Sequence, residues 1–202
     1  TVGYGMTECA PLLGYAPWDS FVPKSCGRCV DRCEVRIDSD DPEHVVGEIQ
    51  VRGVNVMSGY YRNPEATEAA FTPDGWLRTG DLGVIDAAGN IFIRGRSKNM
   101  ILSSNGQNIY PEEIEAIVNN QPYVVESVVV DRNSRLVALV YFDRDKMAAD
   151  GMAPDAVSSV AETVMAEANR SLPAYSRISK VEVMDTPFEK TPKMSIRRFL
   201  YK

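Results

Sequence analysis

An aromatic ring, a hydroxyl and a carboxylate stand close together near the start of the chain, in the segment YGMTE from Tyr4 to Glu8. The ring could stack on a base, the Thr7 hydroxyl could bond a phosphate, and the carboxylate could hold Mg²⁺. Gly3 and Gly5 on either side of the tyrosine permit a close backbone approach or a positive φ. By its spacing alone, the segment is better explained as an ordinary strand that runs into a turn.

A second carboxylate, Asp81, follows a glycine at the end of the predicted short strand Trp76–Thr79. A carboxylate in this position can accept two hydrogen bonds from a vicinal diol such as a ribose. The common alternative is an Asx turn, in which the side chain accepts from nearby backbone N–H groups. The position of Asp81 therefore suggests a sugar site without establishing one.

The four cysteines include a C-x2-C-x3-C cluster, and such spacing can mark zinc. They are Cys9, Cys26, Cys29 and Cys33, and the only histidine is His44. Because no second CxxC pair follows, the pattern favours small buried or half-exposed thiols over a metal site. A charged chain without a secretory signal is typical of a reducing cytosol, so we expect a cytoplasmic protein without disulfides.

The composition excludes several function classes. The chain has 202 residues, 44% of them hydrophobic, and a net charge of −6, which supports a folded core and argues against a nucleic-acid partner. The longest apolar runs, such as Leu136–Phe142, are too short to span a membrane. The opening residues are typical of mid-domain sequence and lack an initiator Met, so we expect part of a longer protein.

The first half of the chain is predicted to be rich in strands. Residues 33–37 and 47–53 alternate apolar and polar side chains, and residues 86–90 form a hairpin turn between strands at 82–85 and 91–94. A short helix is predicted from Pro64 to Phe71, with Asn63 as its N-cap. Residues 95–99 interrupt the strand pattern with a glycine and four polar residues, which indicates a linker.

Beyond the linker the pattern changes to a ββαβ order after an initial helix. The turn Ser103–Gly106 precedes the predicted elements, which are a helix at 111–118, strands at 124–131 and 135–142, a helix at 153–170, a strand at 178–184, and a basic C-terminal tail. About a hundred residues are enough for one compact domain. The sequence therefore predicts an α+β fold in two parts.

Six segments occur in a fixed order that no single motif could explain. They are YGMTE at 4–8, GEIQVRG at 47–53, GYYRNPEAT at 59–67, GWLRTGD at 75–81, GRSKNMI at 95–101 and NGQNIYPEEIE at 105–115. Together they resemble the adenylate-forming acyl-CoA synthetases, the AMP-forming ligases. GYYRNPEAT and NIYPEEIE are most similar to the long-chain and medium-chain fatty acyl-CoA ligases, and the resemblance covers almost the whole chain.

The resemblance implies a domain organisation. Residues 1–96 would be the strand-rich C-terminal end of the large ATP- and acyl-binding domain. Residues 97–202 would be the small mobile C-terminal domain, with a three-stranded sheet and helices. In this family the phosphate-binding loop and most of the acyl pocket lie upstream of YGMTE, so we expect the isolated fragment to be inactive.

The resemblance also implies roles for single residues. Six would bind the nucleotide and its metal: Tyr4 stacked on adenine with Gly5 beside it, Thr7 at the α-phosphate, Asp81 at the ribose hydroxyls, Arg96 near the ribose or phosphate, and Glu8 at Mg²⁺. Lys98 would be the hinge residue. Gly106 would enter the site when the small domain rotates and would help to shape the thiol tunnel.

The sequence departs from the family pattern near its end. Family members close with a catalytic lysine in a pattern similar to T-x-x-x-K-I-x-R, and here the lysine position holds Ser195. Lys193 lies two positions earlier, and two extended residues span at most about 7 Å. We expect Lys193 to fill the role; the alternative is an ordinary solvated loop lysine.

The expected parent protein is an ATP-dependent ligase that joins a fatty acid, or another carboxylic acid, to coenzyme A through an acyl-adenylate. Its cofactors and co-substrates would be ATP, Mg²⁺ and coenzyme A. Two alternatives stay open: an enzyme that passes the acyl group to a carrier protein, and a free-standing binding or regulatory module. Any peripheral membrane contact would come through the parent, and the fragment could self-associate through exposed strand edges.

Overall fold

The computed structural model describes residues 2–103 and 105–201, and Ser104 of the predicted turn lies outside them. The chain divides into two compact units, Thr1–Lys98 and Asn99–Lys202. Each unit has a hydrophobic core of its own. None of the helices in the described part of the chain combines the length and the apolar character needed to cross a membrane.

In its described residues, 2–98, the first unit contains two antiparallel sheets and one α-helix. Its elements are β1 (Val2–Gly5), β2 (Leu12–Ala16), β3 (Arg28–Cys29), β4 (Cys33–Asp38), β5 (Gly47–Gly53), α1 (Pro64–Ala70), β6 (Leu77–Ile85) and β7 (Ile91–Arg96). One sheet has the order β1-β2-β3 and the other β4-β5-β6-β7. The α+β fold that the sequence predicts is confirmed.

The two sheets of the first unit are joined through Ile91. Its backbone accepts a hydrogen bond from the Cys26 N–H at 2.8 Å and donates one to the Gly27 carbonyl at 2.9 Å. Gly27 has a φ of +78°, and a Cβ there would lie 2.0 Å from the Tyr15 carbonyl oxygen, so this crossing requires glycine. Ile91 itself is fully buried, in one core with Leu13.

The helix α1 begins as its sequence predicts. The Asn63 side chain accepts a hydrogen bond from the Ala66 N–H at 3.0 Å, and Pro64 occupies the first helical position. The cap satisfies one of the N–H groups that have no partner inside the helix.

The predicted linker begins later than the polarity of its residues suggests. Gly95 and Arg96 belong to β7 and pair with Leu82 and Asp81 of β6. Strand pairing uses backbone groups, so it continues through residues whose side chains break the apolar pattern. The irregular segment is therefore the turn at residues 97–99.

The second unit contains a small hairpin, a three-stranded sheet and three helices in its described residues. The elements are β8 (Ile101–Leu102), β9 (Asn108–Ile109), α2 (Pro111–Asn119), β10 (Val124–Asp131), β11 (Leu136–Phe142), α3 (Arg144–Ala149), α4 (Val157–Ser171) and β12 (Lys180–Met184). The sheet has the order β10-β11-β12, with β12 parallel to β11. The predicted long helix starts as a 3-10 turn at Pro154–Ala156, and α3 was not predicted.

The sheet of the second unit is covered on both faces. Along β10, Val129 packs into the core formed with α2 and α4, whereas Val128 and Val130 pack with Phe188 of the C-terminal segment. The Phe188 and Tyr201 rings make an edge-to-face contact at 4.9 Å. The C-terminal segment is thus part of the fold of this unit.

A partly buried ion pair fastens the C-terminal segment to α2. The Arg198 guanidinium donates to the Glu115 carboxylate, which also accepts the Val129 N–H at 2.6 Å. Burial raises the pKa of Glu115, and the Arg198 charge opposes that rise. Losing the arginine would leave a buried carboxylate without its cation, which is strongly destabilising.

We therefore predict that Arg198→Gln lowers the free energy of unfolding of the second unit by about 3 kcal/mol at pH 8. Without the guanidinium the folded-state pKa of Glu115 rises further above its unfolded value, so the deficit shrinks as the pH falls toward 5. Urea unfolding followed by the circular dichroism of the helices measures both effects.

The matched control is Arg197→Gln, which removes the same charge from an exposed neighbour. It should leave stability nearly unchanged at both pH values. Equal losses in the two variants would contradict the buried pair as the cause.

Candidate functional site

Three residues predicted to bind one nucleotide meet in the first unit. The Tyr4 hydroxyl donates to Oδ2 of Asp81 at 2.7 Å, and Arg96 Nε lies 2.8 Å from Oδ1 of the same carboxylate. Tyr4 and Asp81 are 77 residues apart in sequence, and their exposed fractions are only 6% and 5%. A buried carboxylate needs partners, and here Tyr4 supplies a hydrogen-bond donor and Arg96 supplies a positive charge.

The strands explain why these side chains meet. Asp81 and Arg96 are directly paired in the ladder between β6 and β7. Gly80, with a φ of +72°, lies within β6 just before Asp81, where the pairing of β6 with β5 shifts register. The Asp81 N–H donates to the Thr79 hydroxyl at 3.1 Å, and that hydroxyl donates to the Ile49 carbonyl at 2.7 Å. The carboxylate therefore projects from a rigid backbone.

The electrostatics suit a polar ligand. Burial, and then the charge of Asp81, raise the pKa of Tyr4 well above its usual range, so its hydroxyl stays a donor at neutral pH. A carboxylate accepts about four hydrogen bonds, so Asp81 can share or exchange its partners with the two hydroxyls of a vicinal diol. The cluster has the chemistry of a ribose site.

Glu8 lies in a 3-10 helix, Thr7–Cys9, and is half-buried. Its Oε1 accepts from the Tyr60 hydroxyl at 3.1 Å, and its backbone carbonyl accepts from the Met57 N–H at 2.8 Å. Burial first, and then the hydrogen bond to Glu8, raise the pKa of Tyr60.

The donors present fit a magnesium ion only in its usual shared form. Mg²⁺ is commonly held by one or two carboxylates together with waters and substrate phosphates. Glu8, which follows Thr7 in the sequence, could supply one such carboxylate. Among residues 2–103 and 105–201, no group of three or more His, Cys, Asp or Glu side chains could hold a metal by itself.

The environments of the cysteine thiols can be compared with those that zinc requires. The Cys29 thiol donates to the Cys33 carbonyl at 3.1 Å, and burial raises its pKa to about 12. Burial likewise raises the pKa of Cys9 to about 11. Zinc binds thiolates, and these environments favour protonated thiols. All four cysteines are free.

Lys98 is exposed and lies in the turn that follows β7. The neighbouring Ser97 N–H donates to the Gly80 carbonyl at 2.9 Å, which ties the start of this turn to the residue before Asp81. The division between the two units falls directly after Lys98. Its role as a hinge stays a prediction.

Gly106 belongs to the connection between β8 and β9 in the second unit. Its φ is +79°, and a Cβ there would meet nothing within 4 Å, so the backbone angle and not the space favours glycine. The Ser103 carbonyl accepts from the Gly106 N–H at 2.9 Å, and the Gln107 N–H donates to the Ser103 hydroxyl at the same distance. The turn is internally bonded and open to solvent.

Lys193 and Ser195 lie in one exposed turn of the C-terminal segment. Thr191 closes this turn: its N–H donates to the Ser195 carbonyl at 2.8 Å, and its hydroxyl accepts from the Ser195 N–H at 3.3 Å. Met194 between them has a φ of +62°, which is uncommon for a residue other than glycine. The structure therefore puts Lys193 and the expected lysine position, Ser195, within one tight loop.

Two contacts near the site were not predicted. One is the bond between Tyr60 and Glu8, although Tyr60 stands in a recognised segment. The other is the Asn55 amide, which donates to the carbonyls of Cys9 and Leu12 at 3.0 and 2.9 Å. Both join segments more than forty residues apart in sequence, so no local pattern could have indicated them.

Comparison with known families gives two matches along the chain. The model of the AMP-binding enzyme C-terminal domain matches residues 98–201, and the model of the AMP-binding enzyme matches residues 1–61. Together they include the Tyr4–Glu8 segment and the whole C-terminal turn.

Curated relatives include an indoleacetate–CoA ligase of Aromatoleum aromaticum, 44% identical over 135 residues, and a long-chain-fatty-acid–CoA ligase of Escherichia coli O157:H7, 44% identical over 133 residues. These alignments cover 64% and 63% of this chain but only 26% and 23% of the relatives. The chain thus aligns with about a quarter of the length of each.

Solved structures share the fold. The O-succinylbenzoate coenzyme A synthetase of Bacillus subtilis in complex with AMP superimposes with a TM-score of 0.81 at 28% identity, covering 100% of this chain and 40% of that one. The same enzyme in complex with ATP and a magnesium ion gives a TM-score of 0.78 at 28% identity, covering 98% and 40%.

The cluster of Tyr4, Asp81 and Arg96 makes a stability prediction. Tyr4→Phe removes a hydrogen bond to a buried carboxylate, so the free energy of unfolding of the first unit should fall by about 2 kcal/mol. Both tryptophans, Trp18 and Trp76, lie in this unit, so urea unfolding followed by tryptophan fluorescence reports on it.

The control for this variant is Tyr15→Phe, which removes the same hydroxyl from an exposed tyrosine of β2. It should leave the unfolding transition in place. A loss in Tyr4→Phe no larger than that in Tyr15→Phe would show that the buried hydrogen bond contributes nothing.

Proposed function

The chain belongs to the AMP-binding enzyme family of adenylate-forming ligases, and from this premise we propose that it is the C-terminal part of an ATP-dependent acyl-CoA ligase. The complete ligase would attack the α-phosphate of ATP with a carboxylate, release pyrophosphate, and transfer the acyl group from the acyl-adenylate to the thiol of coenzyme A. The observation that carries the proposal is the buried Asp81 carboxylate held between Tyr4 and Arg96.

The nucleotide would lie along this cluster. Asp81 would accept the ribose hydroxyls, the Tyr4 ring with Gly5 would face the adenine, and Arg96 would lie near the ribose or phosphate. Adenylation is catalysed mainly by positioning and by neutralising charge, because the reacting groups bring their own chemistry. A carboxylate fixed by two partners reduces the reorganisation needed when the ribose binds.

Glu8 would hold the magnesium ion and Thr7 would contact the α-phosphate region. Bound there, Mg²⁺ would neutralise charge on the departing pyrophosphate. Within the chain itself, Glu8 contributes one carboxylate, whose Oε1 is held by the Tyr60 hydroxyl.

The two halves of the reaction need different surfaces. We place the large-domain end at residues 1–96 and the small mobile domain at residues 97–202, with Lys98 as the hinge residue. A hinge is a few residues that absorb a large change in φ and ψ, and the exposed turn at 97–99 is suited to that. Rotation would bring Gly106 to the thiol site and remove the 191–195 turn from the phosphates.

A long-chain or medium-chain fatty acid is the acid we propose, with coenzyme A as the acceptor. The segments GYYRNPEAT and NIYPEEIE support this choice, and so does the 44% identity to a long-chain-fatty-acid–CoA ligase. Relatives named for other acids make the test necessary. Pyrophosphate release by the complete ligase should be fastest with palmitate among palmitate, acetate, indoleacetate and amino acids.

The acceptor is tested in the same preparation. Acyl transfer to coenzyme A should exceed transfer to a carrier protein. Adenylation of palmitate without transfer to coenzyme A would instead support the carrier-loading alternative, and adenylation of indoleacetate alone would replace the fatty acid.

We further propose that Lys193 supplies the cation that meets the developing charge at the α-phosphate, since Ser195 occupies the usual lysine position. Lys193→Ala in the complete ligase should lower acyl-adenylate formation by about 100-fold. Conversion of added acyl-adenylate to acyl-CoA should be unchanged, because that step does not need a cation at the phosphate.

The exposed Arg197, just beyond the turn, provides the control: Arg197→Ala should keep both half-reactions. Ser195→Lys should raise adenylation and should rescue Lys193→Ala, because it returns a lysine to the usual position. Full adenylation by Lys193→Ala would rule out the substitute role.

The isolated chain of 202 residues should form no acyl-CoA, because we place the phosphate-binding loop and most of the acyl pocket in the rest of the ligase. The check is mass spectrometry of reactions with ATP, palmitate and coenzyme A, using the complete ligase as the positive control. Acyl-CoA made by the isolated chain would show that these residues form a self-sufficient site.

A further inference from the structure

Tyr60 connects Glu8 to a segment that lies 52 residues away in sequence. Its hydroxyl donates to Oε1 of Glu8 at 3.1 Å. Nearby, the Met57 N–H donates to the Glu8 carbonyl at 2.8 Å. Residues 57–60 thus hold Glu8 at two points, one on its backbone and one on its side chain.

The Tyr60 end of this contact is itself fixed. The Tyr60 N–H donates to the Thr67 hydroxyl at 2.9 Å, and that hydroxyl donates to the Asn63 carbonyl at 2.8 Å. The Asn63 N–H in turn donates to the Tyr60 carbonyl at 3.2 Å. Tyr60 is therefore anchored to the first turns of α1.

Gly59 shows how closely this loop is packed on the helix. Its φ is +147°, and a Cβ would lie 2.6 Å from Cγ2 of Thr67. Only glycine fits this backbone angle and this spacing without displacing Thr67. The tyrosine hydroxyl is consequently delivered to Glu8 by a constrained loop and not by a freely rotating surface segment.

A hydrogen bond to one carboxylate oxygen has a definite consequence for the other. With Oε1 engaged by a donor, rotation of the carboxylate about its Cγ–Cδ bond costs that hydrogen bond, so Oε2 keeps a defined direction. Partners that orient a metal-ligating group typically contribute 10- to 100-fold to metal affinity. Tyr60 is 41% exposed, so its effect belongs at the lower end of that range.

Building on the proposed function, we infer that Tyr60 is a positioning residue that orients Glu8 for the nucleotide-bound divalent cation. It would act through Glu8 and would touch neither the nucleotide nor the metal. The adjacent Tyr61 provides a contrast: it is 85% exposed, and the Arg62 guanidinium carbon lies over its ring at 5.1 Å from the ring centroid.

The test measures metal binding in the complete ligase, separately from turnover. Mn²⁺ binding is followed by electron paramagnetic resonance in the presence of a non-hydrolysable ATP analogue, for the unmodified ligase, Tyr60→Phe and Tyr61→Phe. Tyr60→Phe should raise the dissociation constant for Mn²⁺ about 10-fold. Tyr61→Phe should leave it unchanged, as should binding of the analogue without metal in all three proteins.

A double-mutant comparison shows whether the effect passes through Glu8. Glu8→Gln keeps an acceptor for Tyr60 but removes the charge, and adding Tyr60→Phe to it should weaken Mn²⁺ binding no further. Thermal unfolding midpoints of all variants, read by circular dichroism, separate a local effect from a loss of folding.

The outcomes distinguish this inference from the proposed function. Unmodified ligase that binds no Mn²⁺ with the analogue would overturn both. Normal binding in the unmodified ligase, with Tyr60→Phe unchanged or with additive effects in the Glu8→Gln background, would overturn the role of Tyr60 alone.

Discussion

A buried carboxylate needs hydrogen-bond or ion-pair partners, and Asp81 finds them in two separate segments of the first unit, at Tyr4 and Arg96. Tyr4 comes from β1, whereas Asp81 and Arg96 come from the other sheet, so one carboxylate joins the two sheets of the unit. An unpaired charge at this position would cost several kcal/mol. The same bonds that stabilise the carboxylate in the fold also hold it in a fixed direction, which the proposed ribose contact requires.

The second unit uses the same principle for a different purpose. Glu126 of β10 is buried; its carboxylate accepts the Phe188 N–H at 3.0 Å and pairs with Lys190 Nζ at 2.6 Å. Glu115 receives Arg198. These two acids fasten the C-terminal segment on either side of the turn at residues 191–195, so that turn projects from a defined base. The exposed turn that carries Lys193 and Ser195 is therefore held in place from both of its ends.

Local signals predicted the elements they govern. Asn63 and Pro64 start α1 because capping depends on neighbouring residues, and the turn at Asp86–Asn90 forms as its composition indicates. The strand β2, at the centre of its three-stranded sheet, and the helix α3 were not predicted. Residues 12–16 contain a central glycine, and α3 is only six residues long, so neither has enough periodicity to be recognised. The linker was predicted to begin at Gly95, but β7 continues to Arg96. This boundary could not be predicted because backbone pairing does not depend on the polarity of the side chains.

The sequence by itself determined the family, the α+β class and the residue types offered to a nucleotide, because collinear motifs and hydrophobic periodicity are properties of neighbours along the chain. It also placed Ser195 where the family resemblance implies a lysine. Only the tertiary structure decided that Tyr4, Asp81 and Arg96 share one buried carboxylate and that Tyr60 contacts Glu8. Those contacts bridge distant segments, and which distant groups meet depends on strand register and packing, which no local spacing encodes.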